Sequence, residues 1–245
     1  MQVEIWSDVF CPFCYIGKRN FETALAAFPH RDQVQVTWRS FQLQPDAPLE
    51  ADYTSNEMLS RKYGISVEEA RNMQQGVADR AAQVGLSFDL ENSKVTNSFD
   101  AHRITHLAKA KGLQDAAEER FFKAYFTEGQ HVGRRDTLLV LAKEIGLDDA
   151  AVTALLDSDQ FADDVRADIA LGSSFGLTGV PFFVFERKYA VAGAQPAEVF
   201  TQVLDKVWSE TAPVQLIPAA APADGCDDNG CAVPGLSGSA ARAEV

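Results

Sequence analysis

The sequence predicts an α/β fold in which an all-helical domain is inserted into a small sheet. Three stretches carry this prediction: a strand–helix–strand order over residues 3–41, a block from about 55 to 175 with helical signals only, and two strands plus a helix between 181 and 208.

Val3, Ile5 and Trp6 form a short apolar-rich segment that ends at Ser7-Asp8, as a buried first strand would. From about residue 14 to 28, Ile16, Phe21, Leu25 and Phe28 recur at near-helical spacing, and Pro29 ends the helix. Val34-Gln35-Val36-Thr37-Trp38-Arg39-Ser40-Phe41 is β-branched and aromatic with a period of two, the pattern of a second strand. A crossover between them makes the two strands parallel and close neighbours. After Gln44-Pro45-Asp46-Ala47-Pro48 the pattern turns helical, broken at Tyr63-Gly64, Val84-Gly85, Lys111-Gly112, Glu128-Gly129 and Ile145-Gly146. Ser66-Val67-Glu68-Glu69 is a capping box, and amphipathic runs cover 101–110, 116–126 and 137–145. Strand signal returns at residues 181–186 and 189–192, a hairpin turning through Glu186-Arg187-Lys188. Here Phe182, Phe183 and Phe185 are expected in the core rather than on a cofactor platform. Residues 196–208 then read as a helix, with Pro196 near its first turn and Phe200, Val203, Leu204 and Val207 on one face. The predicted organisation is residues 1–46 and 176–211 as two halves of one sheet domain, 47–175 as the helical insertion, and 212–245 as a flexible tail rich in Ala, Pro, Gly and Ser.

Composition narrows the function. At 46% hydrophobic and 23% charged, the 245-residue chain has the make-up of a soluble globular protein. Its 35 acidic against 22 basic side chains give a formal charge of −13, which repels phosphate backbones and anionic lipid. Neither nucleic acid nor membrane is an expected partner. Met1-Gln2 is followed at once by strand-like residues, without a basic segment or an apolar stretch of spanning length, so a cytoplasmic location is expected.

The four cysteines fall in two close pairs, Cys11/Cys14 and Cys226/Cys231. In a reducing compartment such pairs point to redox or metal chemistry rather than to structural staples. Cys11 stands just before the first helix, where unsatisfied amides and the positive end of the helix dipole favour thiolate over thiol. Three residues on, Cys14 lies within bonding range and can resolve a mixed disulfide on Cys11. Pro12 occupies a first-turn position that tolerates proline. Cys11 is therefore the expected nucleophile and Cys14 the more buried resolving thiol. Two other readings stand beside this one: a pair of buried structural thiols, or half of a zinc site completed by Cys226 and Cys231. The place of the motif between a first strand and a first helix favours thioredoxin-like redox chemistry, and zinc would occupy the thiol at the helix N-terminus.

A second element is Thr178-Gly179-Val180-Pro181-Phe182. Proline cannot donate to a strand ladder, so one opening an apolar strand is unusual, and a cis Val180–Pro181 bond in a tight turn would account for it. Towards the C-terminus, Cys226 and Cys231 lie in the turn-rich acidic stretch Asp224-Gly225-Cys226-Asp227-Asp228-Asn229-Gly230-Cys231. Such a loop closes readily, and a disulfide there would be labile; incidental thiols in a tail are the alternative. Asp8 has two readings, a turn residue or an electrostatic modulator of the pair. His102, on a predicted helix, is assigned no role.

Ser7-Asp8-Val9-Phe10-Cys11-Pro12-Phe13-Cys14-Tyr15 resembles the active-site loop of the DsbA family of thioredoxin-fold oxidoreductases, most closely its cytoplasmic FrnE-like branch. Trp38-Arg39-Ser40-Phe41-Gln42-Leu43-Gln44-Pro45-Asp46, Gly179-Val180-Pro181 and Gly193-Ala194-Gln195 extend the resemblance over essentially the whole chain. The resemblance implies a thioredoxin fold with an inserted helical domain and catalysis by Cys11 and Cys14. It also implies that Pro181 is cis beside them, that the backbone of Val180 pairs with substrate, and that Cys226/Cys231 act as an auxiliary redox pair. The expected activity is thiol–disulfide exchange or isomerisation on protein substrates. No cofactor or metal is expected, and glutathione or a thioredoxin-type system enters only as a redox partner. The alternatives are a glutathione-dependent small-molecule isomerase of the hydroxychromene-carboxylate isomerase type, whose members usually carry serine in place of Cys11, and a chaperone-like binding module without turnover.

Overall fold

The structure, a computed structural model, describes residues 1–211 and, in the C-terminal segment, the backbone of 226–227 and 230–231. It divides into two units, Met1–Thr211 and Ala212–Val245. In the first, strand β1 (Gln2–Ser7) leads through helix α1 (Pro12–Ala27) to β2 (Gln35–Ser40). Seven helices follow: α2 (Ser55–Tyr63), α3 (Val67–Gln83), α4 (Phe99–Ala110), α5 (Gln114–Phe126), α6 (Arg135–Glu144), α7 (Asp149–Leu156) and α8 (Ala162–Ser174). The hairpin β3 (Phe182–Phe185) and β4 (Tyr189–Ala192) and helix α9 (Ala197–Thr211) close the unit. The expected α/β fold with a helical insertion is present.

The sheet order is β2-β1-β3-β4. As the crossover rule requires, β1 and β2 are parallel, in register from Gln2 opposite Gln35 to Ser7 opposite Ser40. Strand β3 runs antiparallel to β1, Ile5 facing Phe183, and β4 antiparallel to β3. Since β1 is interior, alternate side chains enter two different cores. Val3 and Ile5 pack with Phe21 of α1, Phe183, Phe185 and Phe200 of α9. On the opposite face Trp6 packs with Leu177, Phe182 and Val184 beneath α8. There α8 comes close because Gly172 faces Trp6: a Cβ on this glycine would lie 2.7 Å from the indole nitrogen. The indole N–H donates to the Asp168 carbonyl at 2.7 Å.

Asp168 also fastens the insertion to the sheet. Its buried carboxylate accepts from Arg39 Nη1 at 2.7 Å and from the Ser40 amide at 3.1 Å, and pairs with His106 Nε2 at 3.1 Å. A third and larger core fills the seam between the start of α1 and the helical block, where Cys14, Tyr15 and Ile16 meet Ile104, Phe121 and Phe122.

The Ser66 capping box is present, and a second one, Thr54 with Glu57, opens α2. Helix α1 starts at Pro12, two residues before the apolar periodicity shows it, because Cys11 is its extended N-cap and Pro12 its first helical residue. At the hairpin, Glu186 and Arg187 adopt positive φ, the turn chemistry that a two-strand reversal demands. The expectation of a flexible tail over 212–245 falls outside the described residues. Within that second unit the backbone forms β5 (Cys226–Asp227) and β6 (Gly230–Cys231), an antiparallel ladder with Cys226 opposite Cys231.

Candidate active site

The end of β1 delivers the motif. Beyond Ser7 the chain turns, the Cys11 amide donating to the Asp8 carbonyl at 2.9 Å and the Cys14 amide to the Cys11 carbonyl at 3.0 Å. No side chain caps α1, and Cys11 is its N-cap residue, so the Cys11 thiol stands at the positive end of the helix dipole. Both thiols are free. The Cys11 thiol donates to the Val180 carbonyl at 3.5 Å, and the Val180–Pro181 peptide is cis. Residues 169 positions apart are thus adjoined. Gly17 makes this possible: a Cβ there would meet Pro181 Cγ at 3.1 Å. The Gly193 amide donates to the Pro181 carbonyl at 2.8 Å, tying the proline loop to the residue just past β4.

The two sulfurs face different surroundings. Cys11 lines a cavity of about 600 Å³, together with Phe10, Phe13, Met58, Met73 and Tyr125. Both cysteines belong to the apolar seam, and Cys14 does not line the cavity. Burial pushes the Cys14 thiol well above the usual cysteine range, and the Cys11 thiol adds to this, against the Asp8 backbone and the Ser7 hydroxyl. Cys14 therefore stays protonated near neutral pH; Cys11, though also buried, is the one of the two that lines the cavity. A smaller cavity of about 310 Å³ on the other side is lined by Pro181, Gly193 and Ala194.

Behind the motif lies a buried polar cluster built largely by the insertion. Asp8 accepts from the Leu43 amide at 2.7 Å and from the Phe10 amide at 3.3 Å, so the turn reading of this residue has a geometric basis. His102 Nε2 of α4 is 3.5 Å from Asp8 Oδ1, and neither ring nitrogen has a hydrogen bond among the described residues. Glu118 of α5 is buried, with Oε2 likewise unpartnered. Burial raises the Glu118 carboxyl to about 7; His102 and Lys18 oppose the rise, and Asp115 and Asp8 assist it. For His102, burial lowers the pKa, but Asp8 and then Glu118 more than offset this, leaving it raised. Sequence reading passed over Glu118. The signal was there, because this acid precedes Phe121 and Phe122 by one helical turn and so lies on the apolar stripe of α5. Nearby, Lys18 is buried against Glu22, Asp115 and Glu119, which joins α1 to α5.

Glu118 makes stability pH-dependent. Its folded-state pKa lies above the ordinary 4.5, so the folded protein holds the proton more tightly than the unfolded chain. Its contribution is fully present below about pH 4.5 and is lost progressively as pH rises to about 7, roughly 3 kcal/mol at most. The raised His102 acts with the same sign. Glu118→Gln is expected to melt near wild type at pH 4.5 and at a higher temperature than wild type at pH 8, read by thermal unfolding across that range. Parallel melting curves at all pH values would contradict this.

Cys226 and Cys231 belong to the second unit, and no side-chain geometry is described for them. Among the described residues, no group of three or more His, Cys, Asp or Glu side chains could hold a metal ion, and no helix is long and apolar enough to cross a membrane.

The family model of the DSBA-like thioredoxin domain matches residues 2–205. A probable DsbA oxidoreductase of Streptomyces coelicolor is 45% identical, with a TM-score of 0.83 over 96% of this chain and 100% of its own. The fold is shared with a 2-hydroxychromene-2-carboxylate isomerase at 13% identity, TM-score 0.66, covering 86% of this chain and 98% of that one. It is shared also with the cytosolic disulfide reductase DsbM of Pseudomonas aeruginosa, crystallised with glutathione, at 18% identity and TM-score 0.60, covering 84% and 98%.

Proposed function

The chain belongs to the family of DSBA-like thioredoxin domains, and from that premise we propose that it is a protein thiol–disulfide oxidoreductase or isomerase acting through Cys11-Pro12-Phe13-Cys14. One observation carries the reading: the Cys11 sulfur sits at a helix N-terminus, open to an apolar cavity, 3.5 Å from the carbonyl that precedes Pro181. A thiolate there attacks one sulfur of a substrate disulfide. The substrate S–S bond breaks, its other sulfur leaves as a thiolate and takes a proton, and a mixed disulfide forms on Cys11. Cys14 then gives up its proton and attacks the Cys11 sulfur, releasing the second substrate thiol. The substrate gains two electrons and two protons, and the enzyme ends as the Cys11–Cys14 disulfide. Run backwards, the same steps oxidise a dithiol; an escape before resolution gives isomerisation. Val180 supplies backbone hydrogen bonding to the bound substrate strand and Pro181 holds that backbone against the motif.

The wider proposal places the protein in the cytoplasm, with glutathione or a thioredoxin-type system restoring its resting state. The ladder register that sets Cys226 opposite Cys231 supports an auxiliary redox pair at those positions. The small-molecule isomerase alternative shares only the fold at 13% identity, and a thiol at position 11 with a second thiol behind it favours exchange.

Cys14→Ser is the direct test. Without the resolving thiol, the mixed disulfide should accumulate as a stable adduct on Cys11, visible by intact mass and released by dithiothreitol. Peptide mapping that found the adduct elsewhere, or no adduct with any protein disulfide, would overturn the proposal.

A further inference from the structure

The two cavities that flank Cys11 meet at three residues, Phe13, Arg80 and Val180, which line both. A substrate strand running past the Val180 carbonyl from one cavity to the other must cross this junction. Arg80 reaches it from α3, a helix of the insertion. Its guanidinium is exposed and has no ion pair or hydrogen bond among the described residues. By contrast Arg71 of the same helix pairs with Glu91 at 3.1 Å. Lys62, which lines the larger cavity with its ammonium 5.7 Å from the Tyr63 ring centroid, is likewise without an ion pair among the described residues. In a chain of formal charge −13, two cations without an ion partner among the described residues, both in the wall of the cavity that Cys11 lines, favour an anionic visitor.

The cavity mouth also indicates what sort of molecule carries that charge. Leu43, Tyr63 and Met73, three of the large apolar side chains most exposed in the first unit, all line it. An apolar mouth with two methionines, Met58 and Met73, in its wall adapts to varied apolar side chains. Length and apolar area suit a polypeptide segment rather than a short polar thiol.

Resting on the oxidoreductase reading above, we propose that Arg80 selects polypeptide substrates carrying a carboxylate within two residues of the reacting cysteine, with an apolar side chain of the same segment seated in the larger cavity. An arginine with both cavities beside it can meet such a carboxylate in a forked, two-bond geometry. Acidic substrates would thus gain local attraction at the site in spite of the repulsive net charge of the protein.

The test uses the reduced full chain and end-capped peptide disulfides, with Glu, Gln or Lys placed in turn at each of the two positions on either side of the cysteine. Second-order exchange rates are divided by those with dithiothreitol, which removes the peptides' own effect on thiol reactivity. At one position Glu should exceed Gln by up to about fivefold, the range of an exposed ion pair, with Lys slower still. The preference should shrink in about 0.5 M salt. Arg80→Gln should bring the ratio towards one, and Arg80→Glu should invert it in favour of Lys. Equal rates for Glu, Gln and Lys at every position, or a Glu preference that survives Arg80→Glu, would overturn the proposal while leaving the oxidoreductase reading intact. If Arg80→Gln slowed only oxidised glutathione and left the peptide ratios unaltered, the carboxylate read at Arg80 would belong to a small thiol, and the proposal would fail. Absence of exchange with every peptide would instead remove the oxidoreductase reading, and this one with it.

Discussion

Cys11→Ala is expected to lower disulfide exchange by on the order of a thousandfold or more, since in the proposed mechanism the group that forms the covalent intermediate cannot be replaced by its neighbour. Cys14 is a poor substitute for two reasons. It is packed in the seam away from the cavity that Cys11 lines, and burial drives its pKa far above the usual thiol range. A substrate sulfur would have to enter the apolar seam to reach it, and the sulfur it met would be a thiol rather than a thiolate. The alanine fits the space left by the thiol, so the loss should appear in activity on a scrambled-disulfide protein without a matching fall in melting temperature. Residual exchange within tenfold of wild type would mean that the chemistry lies elsewhere in the chain.

Asp168→Ala is expected to destabilise the first unit by roughly 3–5 kcal/mol, the cost of stranding buried partners of a removed charge. Three groups lose their acceptor at once: Arg39, the Ser40 amide and His106. Arg39 keeps only its second partner, Glu4, at 2.6 Å. The damage falls where α4, α8 and β2 meet, far in sequence from any one of its consequences. Burial acts to raise the Asp168 carboxyl, but His106, the Ser40 amide and Arg39 outweigh it and hold it below the ordinary 3.8. The folded state thus binds this proton less tightly than the unfolded chain. Its stabilisation is present above about pH 3.8 and disappears as pH falls through the folded-state value. The gap between wild type and variant in chemical denaturation should therefore narrow on acidification below pH 3.8; a gap that is small at pH 7, or constant into acid, would contradict the role given to this carboxylate.

The order of elements was legible in the sequence because each carries its own periodicity. Val3, Ile5 and Trp6 showed a strand, and Pro181 at the mouth of Phe182-Phe183-Val184-Phe185 showed an abnormal strand start. Both are local signals, and the structure has β1, β3 and a cis peptide at those positions. The place of Cys11 and Cys14 at the start of α1 was equally legible from their spacing. What could not be read is what the insertion brings to them. Arg80 reaches the motif from the far end of α3, and Glu118 and His102 from two further helices, through packing that no short-range pattern encodes. Nothing local marks Asp168, whose Ser40 partner lies 128 residues away. The Thr54–Glu57 capping box is wholly local and lay within reach of the sequence.

A glutathione redox titration of the Cys226→Ser/Cys231→Ser chain, with disulfides mapped at each poise, tests the central claim most directly. Cys11 and Cys14 should interconvert between dithiol and mutual disulfide in one reversible two-electron transition, and the fraction oxidised should track the rate of attack on a protein disulfide. If Cys11 formed only a persistent adduct with glutathione, and never a bond to Cys14, the pair would not be a redox couple and the account would be wrong.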